Sequence, residues 1–229
     1  GRIWSAVRRL SPSLEVSPDQ EEFPTFLRPD RPITTEQIME LLRDYNQGHA
    51  FCAFPESGGV GEVRPIGVPH CIHSAVAELH RDTPVEVGGV LWSCVGSPLT
   101  APYLPHHYGI TEIAPPFLQG EDTYQSSSAF WRLRKLTNLA MLHTEQYLPM
   151  LAEAWSKLEQ KAQDMRGIVE QEAARCLDQD PKRAGELLTA LASTLDYEAL
   201  EMAEMLEAQL HRDIAGKLYQ YFAKGDLEW

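Results

Sequence analysis

Residues Arg64–Gly109 read RPIGVPHCIHSAVAELHRDTPVEVGGVLWSCVGSPLTAPYLPHHYG, and the fold class turns on this stretch. Two runs inside it, Ile72–His80 and Val85–Val95, are rich in small and β-branched residues and are short enough for strands. Only Arg81-Asp82-Thr83-Pro84 separates them, so they predict an antiparallel hairpin. In the second run Val85, Val87, Leu91 and Val95 point one way and Val90, Trp92 and Cys94 the other, so neither face is polar. A strand of that kind is expected to be covered on both sides, between a second sheet and a layer of helices. Gly88-Gly89 predicts a bulge or a close backbone approach.

Beyond Val95 the pattern changes. Pro98, Pro102 and Pro105 cannot donate to a ladder, and Tyr103, His106, His107 and Tyr108 gather where the strand is expected to have ended. Two readings stay open for this segment: a proline-stiffened connection with surface aromatics, or the wall of a substrate pocket.

Working outward, the net charge of −13 excludes a nucleic-acid surface, which needs clustered Lys and Arg, and no apolar run is long enough for a membrane span. Cys52, Cys71, Cys94 and Cys176 show no paired spacing, so a reducing, cytoplasmic setting is expected, with Cys94 a small core residue. Gly58, Gly59 and Gly61 lack the lysine and the strand–helix context of a phosphate loop and read as a mobile connection. His70, Cys71, His73, Cys94, His106 and His107 offer zinc-type donors without a standard zinc spacing, so no metal and no cofactor is expected.

Ser11–Pro32 reads as a loop, followed by a helix that Thr34 and Gln37 begin as a capping box, with Ile33 and Ile38 as a staple and Gly48 as its stop. Ile38, Leu41, Leu42 and Tyr45 form its buried face, and Arg43 and Asp44 beside it are read as members of a structural ion pair. From Gln125 the chain reads as helical: Ser126–Ser128 cap a first segment, Pro149 interrupts it, and Trp155, Leu158, Ala162, Met165, Val169 and Cys176 form a short heptad seam. Asp180-Pro181 opens a shorter helix with Leu187, Leu188, Leu191 and Leu195, and a last one carries Leu200 to Tyr221 up to Gly225. These stripes predict an intramolecular helical layer, with an oligomer contact as the alternative.

The runs LLRDYNQG (Leu41–Gly48), CIHSAVAELHRD (Cys71–Asp82), VLWSCVGSPLTAPYLPHHYG (Val90–Gly109) and PPF (Pro115–Phe117) resemble the later part of the dipeptidase A and secernin family of cysteine peptidases. The resemblance covers Arg2 to Asn138 and implies an N-terminal-nucleophile hydrolase, whose fold is a four-layer αββα sandwich. The expected class is therefore α+β: residues 1–120 form the C-terminal portion of the hydrolase core, and residues 121–229 a helical region packed on it or used for oligomerisation. The implied activity is hydrolysis of dipeptides by a cysteine at the mature N-terminus, whose α-amine takes the thiol proton.

The same resemblance places Arg2 beside that cysteine, where a cation would favour the thiolate; read from its position alone, Arg2 is a surface residue at a frayed helix start. It also supports Ser97–Gly109 as the mouth of the peptide pocket, where the aromatic and imidazole groups gathered after the strand predict substrate contact by Tyr103, His106 or His107. Gly1 opens the chain without a methionine, straight into the amphipathic Ile3, Ala6, Val7 and Leu10, and the cysteines are all internal. The expected partners are thus the missing N-terminal part of the same enzyme and a short peptide. The alternatives are an inactive relative that binds other proteins through its helical tail and a metal-binding module around His70 and His73.

Overall fold

A computed structural model describes residues 1–54 and 63–224 of the chain. The expected hairpin forms: β1, His73–Leu79, pairs antiparallel with β2, Gly89–Val95, with Val76 opposite Trp92 and Ala77 opposite Leu91. The second run is not a strand throughout. Val85–Gly88 is one helical turn, α3, in which the N–H groups of Val87 and Gly88 donate to the Pro84 carbonyl at 3.0 and 2.7 Å. Gly88 and Gly89 mark a close approach and not a bulge, since the register is unbroken to the Leu79–Gly89 pair. A Cβ on Gly88 would stand 2.7 Å from the Thr83 Cβ, and one on Gly89 2.7 Å from the Val85 carbonyl oxygen.

The segment expected to be a connection contains a third strand, β3, Leu104–His107, paired antiparallel with β2 in the order β1-β2-β3. Pro105 lies opposite Trp92 and is tolerated because β3 is the outermost strand. Of the cover expected on both faces, the described residues supply that of one. Val90, Trp92 and Cys94 are buried, whereas Leu79 and Leu91 on the opposite face are 79% and 43% exposed. The described residues supply helices for one face of this sheet and no second sheet for the other.

Those helices are α4 (Ala129–Ala140), α5 (Thr144–Cys176) and α6 (Pro181–Lys224). The break between α4 and α5 falls at Met141–His143, where tight-turn bonds run from Leu142 to Leu139 and from His143 to Ala140. Pro149 lies inside α5 and does not end it. Asp180 caps α6 as expected, its Oδ1 accepting the Arg183 N–H at 3.0 Å. The two helices expected after Pro181 are one continuous helix of 44 residues. Trp155 and Leu158 of α5, Leu133 and Leu136 of α4, and Leu191, Leu195, Leu206 and Leu210 of α6 join Val90, Trp92 and Cys94 in one apolar core.

At the other end of the chain stand α1, Arg2–Leu10, and α2, Thr35–Leu42. The capping box is present, with Gln37 N–H donating to Thr34 Oγ1 and Thr34 N–H to Gln37 Oε1. The helix ends at Leu42, before the expected stop; Gly48, with φ +76°, sits in the following loop. Gly58, Gly59, Gly61 and Gly225 lie outside the described residues. Among the described residues no helix is long and apolar enough to cross a membrane.

Trp92 is 1% exposed, donates its indole N–H to Glu78 Oε2 at 2.8 Å, and is the largest side chain on the covered face. Replacement by Ala is expected to destabilise the fold by about 3–5 kcal/mol, read as a lower denaturant midpoint. A loss under about 1 kcal/mol would contradict this packing.

Candidate functional site

Arg2 begins α1 and lines a groove of about 370 Å³ between that helix and the loop ahead of α2. Ile3, Ala6 and Leu10 form one wall and Pro24, Leu27 and Ile33 the other, so the groove is apolar with a cation at one end. The face of α1 turned away from it is anchored: Trp4 and Val7 are buried, and the Trp4 indole donates to the Val16 carbonyl at 3.2 Å.

Asp44, just past α2, is fully buried and accepts from three side chains of α1: Ser5 Oγ at 2.5 Å, Arg8 at 3.2 Å, and Arg9 Nε. Its other oxygen accepts the Asn46 N–H at 2.6 Å. Burial by itself would raise this carboxyl, but the hydrogen bonds from Ser5, Arg9 and Asn46 overcome it and hold it below the ordinary range. The expected ion pairing of Arg43 and Asp44 is present, but with separate partners. Arg43 forks onto Glu159 of α5, donates to the Pro98 carbonyl at 2.9 Å, and stacks over the Tyr103 ring at 4.8 Å.

Tyr103, His106 and His107 all lie against this chain's own partners. The Tyr103 ring is fully buried, its hydroxyl 2.7 Å from Ser74 Oγ and its N–H donating to Glu159 at 2.7 Å; burial pushes the phenol well up. His106 reaches Asp196 of α6 at 3.2 Å. His107 is buried, with Nε2 2.9 Å from Glu170 and Nδ1 without a partner among the described residues. Arg166 joins Glu170 to Glu78 of β1, donating to Glu78 at 2.9 and 2.5 Å and to Glu170 at 2.8 Å, and it lies over Trp92.

Sequence reasoning missed Glu159, Arg166, Glu170 and Asp196, which partner the residues it singled out. The available signal was local: Arg166 and Glu170 stand four apart inside the apolar seam of α5, a spacing at which unlike charges meet on one face.

The zinc-type donors do not converge. No group of three His, Cys, Asp or Glu able to hold a metal occurs among the described residues. Cys71 Sγ donates to the His73 carbonyl, and Cys94 is fully buried, which pushes its thiol far up and keeps it protonated.

Comparison with known proteins gives these geometries a setting. The family profile described as peptidase family C69 matches residues 1–157. The chain belongs to this family. A probable dipeptidase B from Streptococcus pyogenes serotype M1 is 22% identical over 224 residues, covering 93% of this chain and 45% of that protein. A probable dipeptidase from Salmonella dublin is 28% identical over 116 residues, 50% of this chain and 27% of that protein. Dipeptidase A from Lactobacillus helveticus is 25% identical over 139 residues, 59% and 29% of the two chains. The chain thus spans less than half the length of each of these relatives.

Glu78 carries the site's clearest pH signature. Hydrogen bonds from Arg166 foremost, then from Trp92 and His80, outweigh its burial and hold its carboxyl far below the usual range. Its contribution is therefore complete above the unfolded value, about 4.3, and is lost as the pH falls toward the folded value. Glu78→Gln is expected to cost about 2–3 kcal/mol at pH 7 and less at pH 3, measured by urea unfolding at both pH values. An equal cost at the two would show that the charge on Glu78 is not what stabilises.

Proposed function

We propose that this chain is the C-terminal portion of a cysteine dipeptidase whose nucleophile lies outside the sequence described here. The observation that carries the reading is the family match over residues 1–157, which includes Arg2 and the whole sheet. Cys94 supports it, since a fully buried thiol held protonated is no nucleophile.

In this reading a cysteine at the mature N-terminus is deprotonated by its own α-amine, attacks the dipeptide carbonyl, and releases the first amine before water frees the acyl group. Arg2 stands beside the thiol, where its charge favours the thiolate. The uncovered face of β1 and β2, with Ala75, Ala77, Leu79 and Leu91, seats against a second sheet from the N-terminal part to complete an αββα sandwich. Residues 97–109 form the supporting wall of the peptide site. Within it His106, 14% exposed, is the residue of the three still open to a substrate, while Tyr103 and His107 brace it from inside.

The test compares the purified chain with the same chain joined to its N-terminal part. The isolated chain is expected to leave dipeptides intact, and the joined protein to hydrolyse them until its N-terminal cysteine is alkylated. Turnover by the isolated chain after contaminant controls would overturn the assignment. In the joined enzyme His106→Ala is expected to raise KM more than it lowers kcat. Unchanged kinetics would remove His106 from the substrate contacts.

A further inference from the structure

α1 is a nine-residue helix with no side-chain cap, and among its apolar side chains only Trp4 and Val7 are buried. That is little apolar area to fix a helix. Much of the remaining hold is polar: single contacts join Trp4 to the Val16 carbonyl, Arg8 to His49 and the Leu10 carbonyl to the Asp30 N–H, while Ser5, Arg8 and Arg9 all converge on Asp44 Oδ2. Their spacing puts them on one face, separated by one turn or less. Asp44 offers a stationary anchor, because its Oδ1 takes the Asn46 N–H at 2.6 Å and its own carbonyl takes the Gly67 N–H at 2.8 Å.

The face that grips Asp44 also carries Arg2, three residues before Ser5 and seven before Arg9. The start of the helix has a second stop. Gly1 is seated so closely that a Cβ there would lie 2.5 Å from Val63 Cγ1 and 3.2 Å from the Arg64 carbonyl oxygen. Asp44 resists rolling of α1 and the Gly1 contact resists sliding, and together they determine where the Arg2 side chain leaves the helix.

We propose that Asp44 is a positioning residue for Arg2, acting through α1. The proposal rests on the reading above, in which Arg2 lies beside the nucleophile. A group that tunes a reacting thiol has to be held to about 0.5 Å, and a displacement of about 1 Å costs on the order of 100-fold in rate. A helix held by so few apolar contacts depends on its buried carboxylate for that tolerance.

The test uses two readouts. In the joined enzyme Asp44→Asn, which keeps the shape and removes the charge, is expected to lower kcat by about 10- to 100-fold with KM changed less than about twofold. Added to Arg2→Ala, it should lower kcat no further, because its effect passes through Arg2. In the present chain, hydrogen exchange at the Ser5–Leu10 amides should accelerate by about tenfold or more in Asp44→Asn, with α5 and α6 unchanged. Arg9→Gln, which leaves Asp44 in place, should move both readouts in the same direction by less.

Multiplicative losses in the Arg2→Ala and Asp44→Asn pair would overturn the proposal, as would unchanged exchange in α1. A joined enzyme that hydrolyses no dipeptide would instead overturn the assigned activity, and with it the role of Arg2. The exchange measurement reports on the clamp whichever way that falls.

Discussion

One guanidinium sets the relation of the helices to the sheet. Arg166 of α5 is held between Glu78 of β1 and Glu170 of its own helix and lies over the Trp92 indole of β2. Apolar packing alone would allow α5 to slide along the sheet, since Leu and Val contacts are nearly interchangeable from one turn to the next. A nearly buried charge has no such freedom: moved one turn along the sheet, it would lose Glu78 and keep only Glu170, which travels with it, in a setting of low dielectric. The register of α5 then places Glu159 against Arg43 and Tyr103, and Glu170 against His107.

Charge placement explains how an acidic chain buries Arg166 and most of Arg43. Arg43 and Arg166 have carboxylates on two sides or carbonyls in reach, and their positive charge is kept despite desolvation. Asp44 is the inverse case, a carboxylate met by α1. Among the described residues the side chains of Asn46 and the Nδ1 of His107 are buried without partners, and Asn46 combines this with a φ of +62°. Both lie beside a charged group, where the backbone and the ion pair together take precedence over satisfying every polar atom.

What could be read from the residues in order was what depends on near neighbours. The β1–β2 hairpin, the Thr34–Gln37 box and the Asp180 cap each follow from residues a few positions apart, and each is present. β3 was hidden because Pro102 and Pro105 signal a loop unless the strand is known to be outermost, which is a property of the sheet and not of the segment. The stripes Leu187 to Leu195 and Leu200 to Tyr221 read as two helices. In the fold Asp196 is buried opposite His106, so the helix passes through it without a break. The partners of the candidate residues were hidden for the same reason. Tyr103, His106 and His107 carry chemistry that suits a pocket, but their partners Glu159, Asp196 and Glu170 stand 56 to 90 residues away, beyond any local pattern. Arg2 had no signal of its own and stood out through family resemblance.

The order of the elements along the chain has a consequence for how the protein is made. The sheet emerges from the ribosome first, and the helices that cover Val90, Trp92 and Cys94 follow it. From Val95 to the end of α6 at Lys224 synthesis adds about 130 residues, roughly 6 to 26 s at ordinary elongation rates. For that interval the face that becomes the core lacks the cover of α4, α5 and α6, with little more than Met39 of α2 and Phe54 already made, and its outer strands lie open to pairing with a neighbour. Glu78 is the one acidic side chain that β1 and β2 place on that face, so until the helices follow, charge guards it sparsely.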